Sequence, residues 1–137
     1  MSANLSIETA TQLAVFLANR PGALMRVCAA LAQAGINIHA LATSDTVDHS
    51  VVRMVVSDPT KALMVLGEAG VLALEADVLM IEGKNEPGML EKVAARLADA
   101  KINIEYIYLA GSLNAERGLM ILRAADVAKA HRVLGDL

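Results

Sequence analysis

The stretch Asn19-Arg20-Pro21-Gly22-Ala23-Leu24 lies between a short apolar run and the start of a helical pattern, and it nearly recurs as Asn85-Glu86-Pro87-Gly88-Met89-Leu90. A helix start leaves its first N–H groups unpaired and carries a partial positive charge, which suits a carboxylate or a phosphate. Gly22 and Gly88 lack the Cβ that would keep a ligand off the backbone. Asn19 and Asn85 add a side-chain amide that donates and accepts, so it can meet both the ammonium and the carboxylate of a free amino acid. Asn37 and Asn103, inside Ile36-Asn37-Ile38 and Ile102-Asn103-Ile104, offer a second amide of the same kind. The chemistry is that of binding. The plainer alternative is punctuation, since Pro-Gly is ordinary at a strand-to-helix turn and Asn is a common capping residue.

Other chemistry-bearing residues form no such pattern. His39, Asp45, Asp48 and His49 fall on one hairpin, but no i, i+4 or cysteine-containing spacing supports a metal, and polar turns routinely hold Asp and His. His131 reads as a solvated residue near a helix C-terminus. Cys28, the single cysteine, cannot form an intrachain disulfide and reads as a small core residue. No catalytic residue set, cofactor or metal is expected, and the chain reads as a non-enzyme.

Elements must hold the two loops in place, and an internal repeat supplies them twice. A shift of 66 residues superposes Leu13 on Leu79, Val15 on Ile81, Val27 on Val93 and Leu31 on Leu97, together with the loops and the Ile-Asn-Ile segments. Beyond them the offset becomes 68, pairing Asp58 with Asp126, Lys61 with Lys129 and Leu66 with Leu134, so the second copy has a two-residue insertion in its hairpin. In the first copy, alternation over residues 12–18 predicts a strand with Leu13, Val15 and Leu17 on its buried face. Pro21 predicts a first-turn proline of a helix whose apolar stripe is Leu24, Val27, Cys28 and Leu31, ended by Gly35 as a left-handed cap. Strands follow at residues 36–42 and 51–56, with a polar turn at residues 45–49 between them. Asp58-Pro59 opens a second helix through Leu66, and residues 71–74 make a fourth strand.

The order β-α-β-β-α-β is the split, ferredoxin-like unit: an α+β fold of antiparallel sheets with helices on one face. The expected division is an N-terminal extension over residues 1–11, a first unit over 12–75 and a second over 76–137. The second copy has no residues left for its fourth strand, and residues 4–9 are the candidate to cover that edge. On the face away from the helices, Phe16, Val51, Val55, Met80, Ile107, Leu119 and Ile121 are apolar where a wet face would alternate to polar. A homodimer that covers this face is therefore expected.

The loops with Ala34-Gly35-Ile36-Asn37-Ile38 and Ala100-Lys101-Ile102-Asn103-Ile104 resemble the signature of ACT domains, once in each copy. The likeness runs from about Gln12 to Leu134. The whole resembles stand-alone tandem ACT proteins, and the first half is also similar to the regulatory small subunit of acetolactate synthase. The resemblance implies regulation by a small ligand, an amino acid above all, bound between ACT domains placed side by side. It implies that residues 19–24 and 85–90, with 36–38 and 102–104, line those sites. Relatives that sense serine carry a histidine two residues before the loop asparagine, where Leu17 and Gly83 stand here, so serine is not the expected ligand. Lys101 in place of Gly35 and Glu86 in place of Arg20 imply two sites of unequal affinity.

Composition bounds the alternatives. The 137 residues are 55% hydrophobic with Phe16, Tyr106 and Tyr108 as the aromatics, so the core is built from Ala, Leu, Val, Ile and seven Met. A net charge of -3 without a Lys/Arg cluster excludes an electrostatic footprint for nucleic acid or an acidic membrane. The two tyrosines do not make the aromatic platform and basic rim that RNA binding on such a sheet needs. No basic n-region precedes Arg20, and Glu75 and Asp77 interrupt the longest apolar stretch, so neither a signal peptide nor a membrane span is expected and the location is cytoplasmic. Any enzyme under its control would be a separate chain. Two other readings share the topology: a scaffolding or oligomerisation module without ligand, and, more remotely, an acylphosphatase-like enzyme using Arg20 and Asn37. The latter lacks a glycine-rich phosphate cradle and meets Glu86 in the second copy.

Overall fold

The computed structural model describes residues 5–45, 49–135 and 137; of Asp45 only the backbone is described. Apolar alternation builds six strands and 3.6-residue periodicity four helices, in the order β1 (Ser6–Ala18), α1 (Ala23–Gln33), β2 (Ile38–Asp45), β3 (His49–Val56), α2 (Pro59–Glu68), β4 (Leu72–Lys84), α3 (Met89–Asp99), β5 (Ile104–Ala110), β6 (Arg117–Ala124) and α4 (Val127–Leu134). The chain divides into two compact units, residues 11–76 and residues 77–137 joined by the N-terminal residues up to 10.

In the first unit the strand order is β2-β3-β1-β4. β3 runs antiparallel to both neighbours, with Val15 opposite Val52 and Leu41 opposite Met54. Leu13, Val15, Val52 and Met54 from the sheet meet Val27 and Leu31 of α1 and Leu66 of α2 in one buried cluster. The second unit repeats this with the order β5-β6-β4-β1 and a core of Leu79, Ile81, Val93, Leu97, Leu122 and Leu134.

Two strands are longer than the alternation predicts. β1 begins at Ser6, ahead of Gln12, so residues 6–11 are strand and not an extension. β4 is continuous from Leu72 to Lys84, because Glu75 and Asp77 turn outward to solvent and interrupt nothing. The edge of the second sheet beside β4 is accordingly covered by β1: Leu5 and Ile7 pack against the second core, and the Ile7 carbonyl lies 3.3 Å from His131 Nε2. Within residues 4–9, Asn4 lies outside the described residues.

The α1 stripe is narrower than expected. Val27 and Leu31 are buried, whereas Cys28 is half-buried and Leu24 is 40% exposed. On the sheet face away from the helices, Val55 and Ile121 are buried and Phe16, Val51, Met80 and Leu119 are half-buried, so none of these six stands exposed; Ile107, expected on that face, instead lies opposite Leu122 on the helix side and packs against the second core.

Helix ends follow two rules. Asp58 and Asp126 cap α2 and α4 by accepting the Lys61 and Lys129 N–H groups, each at 3.0 Å. α1 ends at Gly35 with φ 72°, and the Ile36 N–H reaches back to the Leu31 carbonyl at 2.9 Å. α3 ends the same way at Lys101, φ 58°, with the Ile102 N–H on the Leu97 carbonyl.

Candidate ligand-binding loops

Proline fixes its own φ near the value a turn needs at its second position, and glycine accepts the positive φ needed at the third. In the first loop Gly22 has φ 86° and ψ -12°, and the Ala23 N–H points back to the Arg20 carbonyl at 3.4 Å. That is a type II turn over Arg20-Pro21-Gly22-Ala23. Gly88 repeats it with φ 91° and ψ -4°. Pro21 and Pro87 thus precede the helices and are not first-turn residues, since α1 starts at Ala23 and α3 at Met89. A Cβ on Gly22 or Gly88 would meet nothing within 4 Å, so the local need for glycine is its dihedral, not a crowded backbone.

The turn has a chemical consequence. Gly22 and Gly88 occupy the N-cap positions, and neither α1 nor α3 receives a side-chain cap, in contrast to α2 and α4 with their aspartates. Among the described residues, two helices therefore start at a capping aspartate and two at a glycine, the latter being the two that follow the repeated loop.

Asn85 laces its loop to the β5–β6 hairpin. Its Nδ2 donates to the Ala115 carbonyl at 2.9 Å, and its backbone N–H donates to the Glu116 carbonyl at 2.9 Å. Asn19 is exposed, as are Arg20, Pro21, Glu86 and Pro87. Ala23 packs against the first core and Met89 is buried in the second, while Leu24 and Leu90 are each 40% exposed.

The second-strand residues lie elsewhere. Asn37 is exposed beyond the far end of α1, its N–H donating to Ser57 Oγ and its carbonyl accepting from the Ser57 N–H, both at 2.9 Å. Eleven residues of α1 put about 16 Å of helix between that end and the first loop. Asn103 follows α3 in the same way. Within a unit, loop and Ile-Asn-Ile segment therefore stand at opposite ends, and Ile36, Ile38, Ile102 and Ile104 face their own cores. Arg20 and Asn37, which an acyl-phosphate enzyme would need together, are apart for the same reason.

Clefts adjoin both loops, with different linings. In the second unit one of 740 Å³ lies between the loop, the start of α3 and the β5–β6 end. Its floor holds Gly83 and Gly118, directly opposed across β4 and β6. The corresponding pair in the first unit is Leu17 and Ser50. In the first unit a cleft of 330 Å³ runs beside Ala69, Gly70 and Val71, with Arg20 and Arg26 as its charged lining. The hairpin residues from Leu109 to Leu113 and the strand residues Gly118 to Met120 are absent from the sequence-derived site. Two signals mark them in the aligned copies: the two-residue hairpin insertion and Gly83 in the place of Leu17. Among the described residues no group of three or more His, Cys, Asp or Glu side chains is placed to hold a metal. His39 and His49 are exposed, and Asp48 and the Asp45 side chain lie outside the described residues.

A family model described as an ACT domain pair matches residues 8–136. The chain belongs to this family. The ACT pair also matches a solved structure from Bacteroides thetaiotaomicron at 32% identity, TM-score 0.88, covering 95% of this chain and 89% of that one. The regulatory subunit of aspartate kinase from Thermus thermophilus, in its ligand-free form, has the same fold at 22% identity and TM-score 0.67, covering 96% and 95% of the two chains. Its counterpart from Thermus flavus does so at 22% identity and TM-score 0.63, with 99% and 96% covered. No curated protein matches. No helix among the described residues of the ACT pair is long and apolar enough to cross a membrane.

Proposed function

We propose that this ACT pair is a non-catalytic regulatory module that binds a free amino acid through the loops at residues 19–24 and 85–90 and so controls a separate metabolic enzyme. The observation that carries the reading is the division of helix ends: α1 and α3 lack side-chain caps where α2 and α4 have them. Uncapped N–H groups beside an asparagine suit a carboxylate, and a cleft adjoins each loop. Ile36, Asn37 and Ile38, with Ile102, Asn103 and Ile104, complete the sites only from a neighbouring ACT domain, since within a unit they stand a helix length from the loop. The regulatory role of the two Thermus neighbours is in keeping with this.

A thermal-shift series with the twenty amino acids tests the reading. A ligand at one hundred times its dissociation constant adds about 2.7 kcal/mol to stability. A rise in Tm with one or a few amino acids supports the reading, and weaker binding by Asn19→Ala supports the loop assignment. A flat response at millimolar concentrations favours a ligand-free scaffold.

The module is further proposed to work in the cytoplasm as a homodimer. Met25 and Met64 on the first unit's helices are each 63% exposed, at positions that the repeat gives to Glu91 and Arg132 in the second. Exposed methionines on both helices give apolar surface that a second copy can cover across a twofold axis. A monomer at micromolar concentration in sedimentation would refute the dimer.

A further inference from the structure

We infer that the cleft of the second unit is selective for α-amino acids with a large apolar side chain. This rests on the amino-acid reading above and adds the ligand class and the copy that holds it.

Part of the space is left by the missing side chain of Gly118. Gly83 and Gly118 oppose each other at the floor, where the first unit has Leu17 and Ser50. A Cβ on Gly118 would meet only Asn85 Oδ1, at 3.9 Å. The room is thus on the Gly118 side, whereas Leu5 and Met89 fill the position that a side chain on Gly83 would take.

The walls are apolar and incompletely covered. Leu90 and Ala94 of α3 line one side, Leu109 and Met120 the other, and Leu113 stands at the hairpin. Leu90, Leu109 and Leu113 are 40%, 58% and 98% exposed, so three leucines around one recess keep surface that an apolar ligand would take from water. Apolar walls with a few polar groups are the usual makeup of a small-molecule site.

The polar end fixes the rest of the class. Lys84, Glu86 and Glu91 bring one cation and two carboxylates. A purely anionic ligand meets net repulsion there, whereas a zwitterion finds a carboxylate for its ammonium and a lysine for its carboxylate. The described first-unit cleft lies instead beside Ala69, Gly70 and Val71, with Arg20 and Arg26 as its charged lining. Glu86 is the loop carboxylate that would hold the ammonium in the second copy.

Titration calorimetry of the intact chain with leucine, methionine, phenylalanine, serine, aspartate and lysine tests this. The first three are expected to bind at least about tenfold more tightly than the last three, a gap of about 1.4 kcal/mol. Gly118→Leu fills the recess and is expected to weaken leucine binding at least about tenfold. Glu86→Arg, at an exposed position that leaves the fold intact, is expected to weaken it similarly by removing the ammonium partner. Preferential binding of serine, aspartate or lysine overturns the ligand class and leaves the amino-acid reading standing. Leucine binding that survives both substitutions overturns the choice of cleft. Binding of none of the six overturns this inference, and the thermal-shift series with all twenty then decides the reading beneath it.

Discussion

Leu5 occupies the space into which a side chain on Gly83 would point: a Cβ built there would lie 2.6 Å from Leu5 Cδ2 and 3.2 Å from Met89 Sδ. The repeat gives the same two positions, 83 and 89, to Leu17 and Ala23 in the first unit. One unit pairs a large strand residue with a small helix residue, and the other reverses them. Gly83→Leu is therefore expected to destabilise the protein by about 1–3 kcal/mol through overpacking. Adding Met89→Ala, which copies the first unit, should recover part of the loss in urea melts; losses that simply add would show that the two sites are uncoupled.

Lys101 holds a φ of 58° that Gly35 holds at 72° in the first copy. A left-handed backbone costs a residue with a Cβ about 1–2 kcal/mol. Lys101→Gly should raise stability by about 0.5–1 kcal/mol, some of the strain relief being lost to the freer unfolded chain, and should raise the urea midpoint with an unchanged slope.

Asp58→Ala and Asp126→Ala each remove a carboxylate that accepts one helix N–H, and each should cost about 1 kcal/mol. Asparagine at either position should restore most of it, because its side-chain oxygen accepts the same bond. The check is a Tm series, in which about 1 kcal/mol corresponds to about 4 °C for a chain of this size.

Asn85→Ala removes the bond from the amide to the Ala115 carbonyl. The bond is exposed, so the global cost is about 0.5–1 kcal/mol, at the lower end for a net hydrogen bond. The larger effect is local: hydrogen exchange should quicken in the loop and the hairpin around residues 85–90 and 111–116 while the core of β4 and β6 stays protected.

The repeat carried most of the fold. Aspartate caps, the left-handed cap at Gly35 and both cores followed from spacing, because each depends on residues near in sequence or on one face of an element. The starts of β1 and α1 did not. Ser6 to Thr11 alternate poorly, and their strand state depends on partners far along the chain. Pro21 stands one position ahead of a glycine with positive φ, which places it in a turn and moves the helix start to Ala23. The loop asparagines were visible as candidates. The cleft floor was not, because the absence of a side chain at Gly118 gains meaning only once Gly83 is known to lie opposite it.

β1 and β4 each lend residues to both units, and this changes what can be inherited or cut. Residues 77–137 expressed alone would keep an unprotected strand edge, since residues 6–10 finish that sheet. Likewise the first unit ends within β4. The pair therefore cannot be dissected into two autonomous beads, and loss of either half would strand the other.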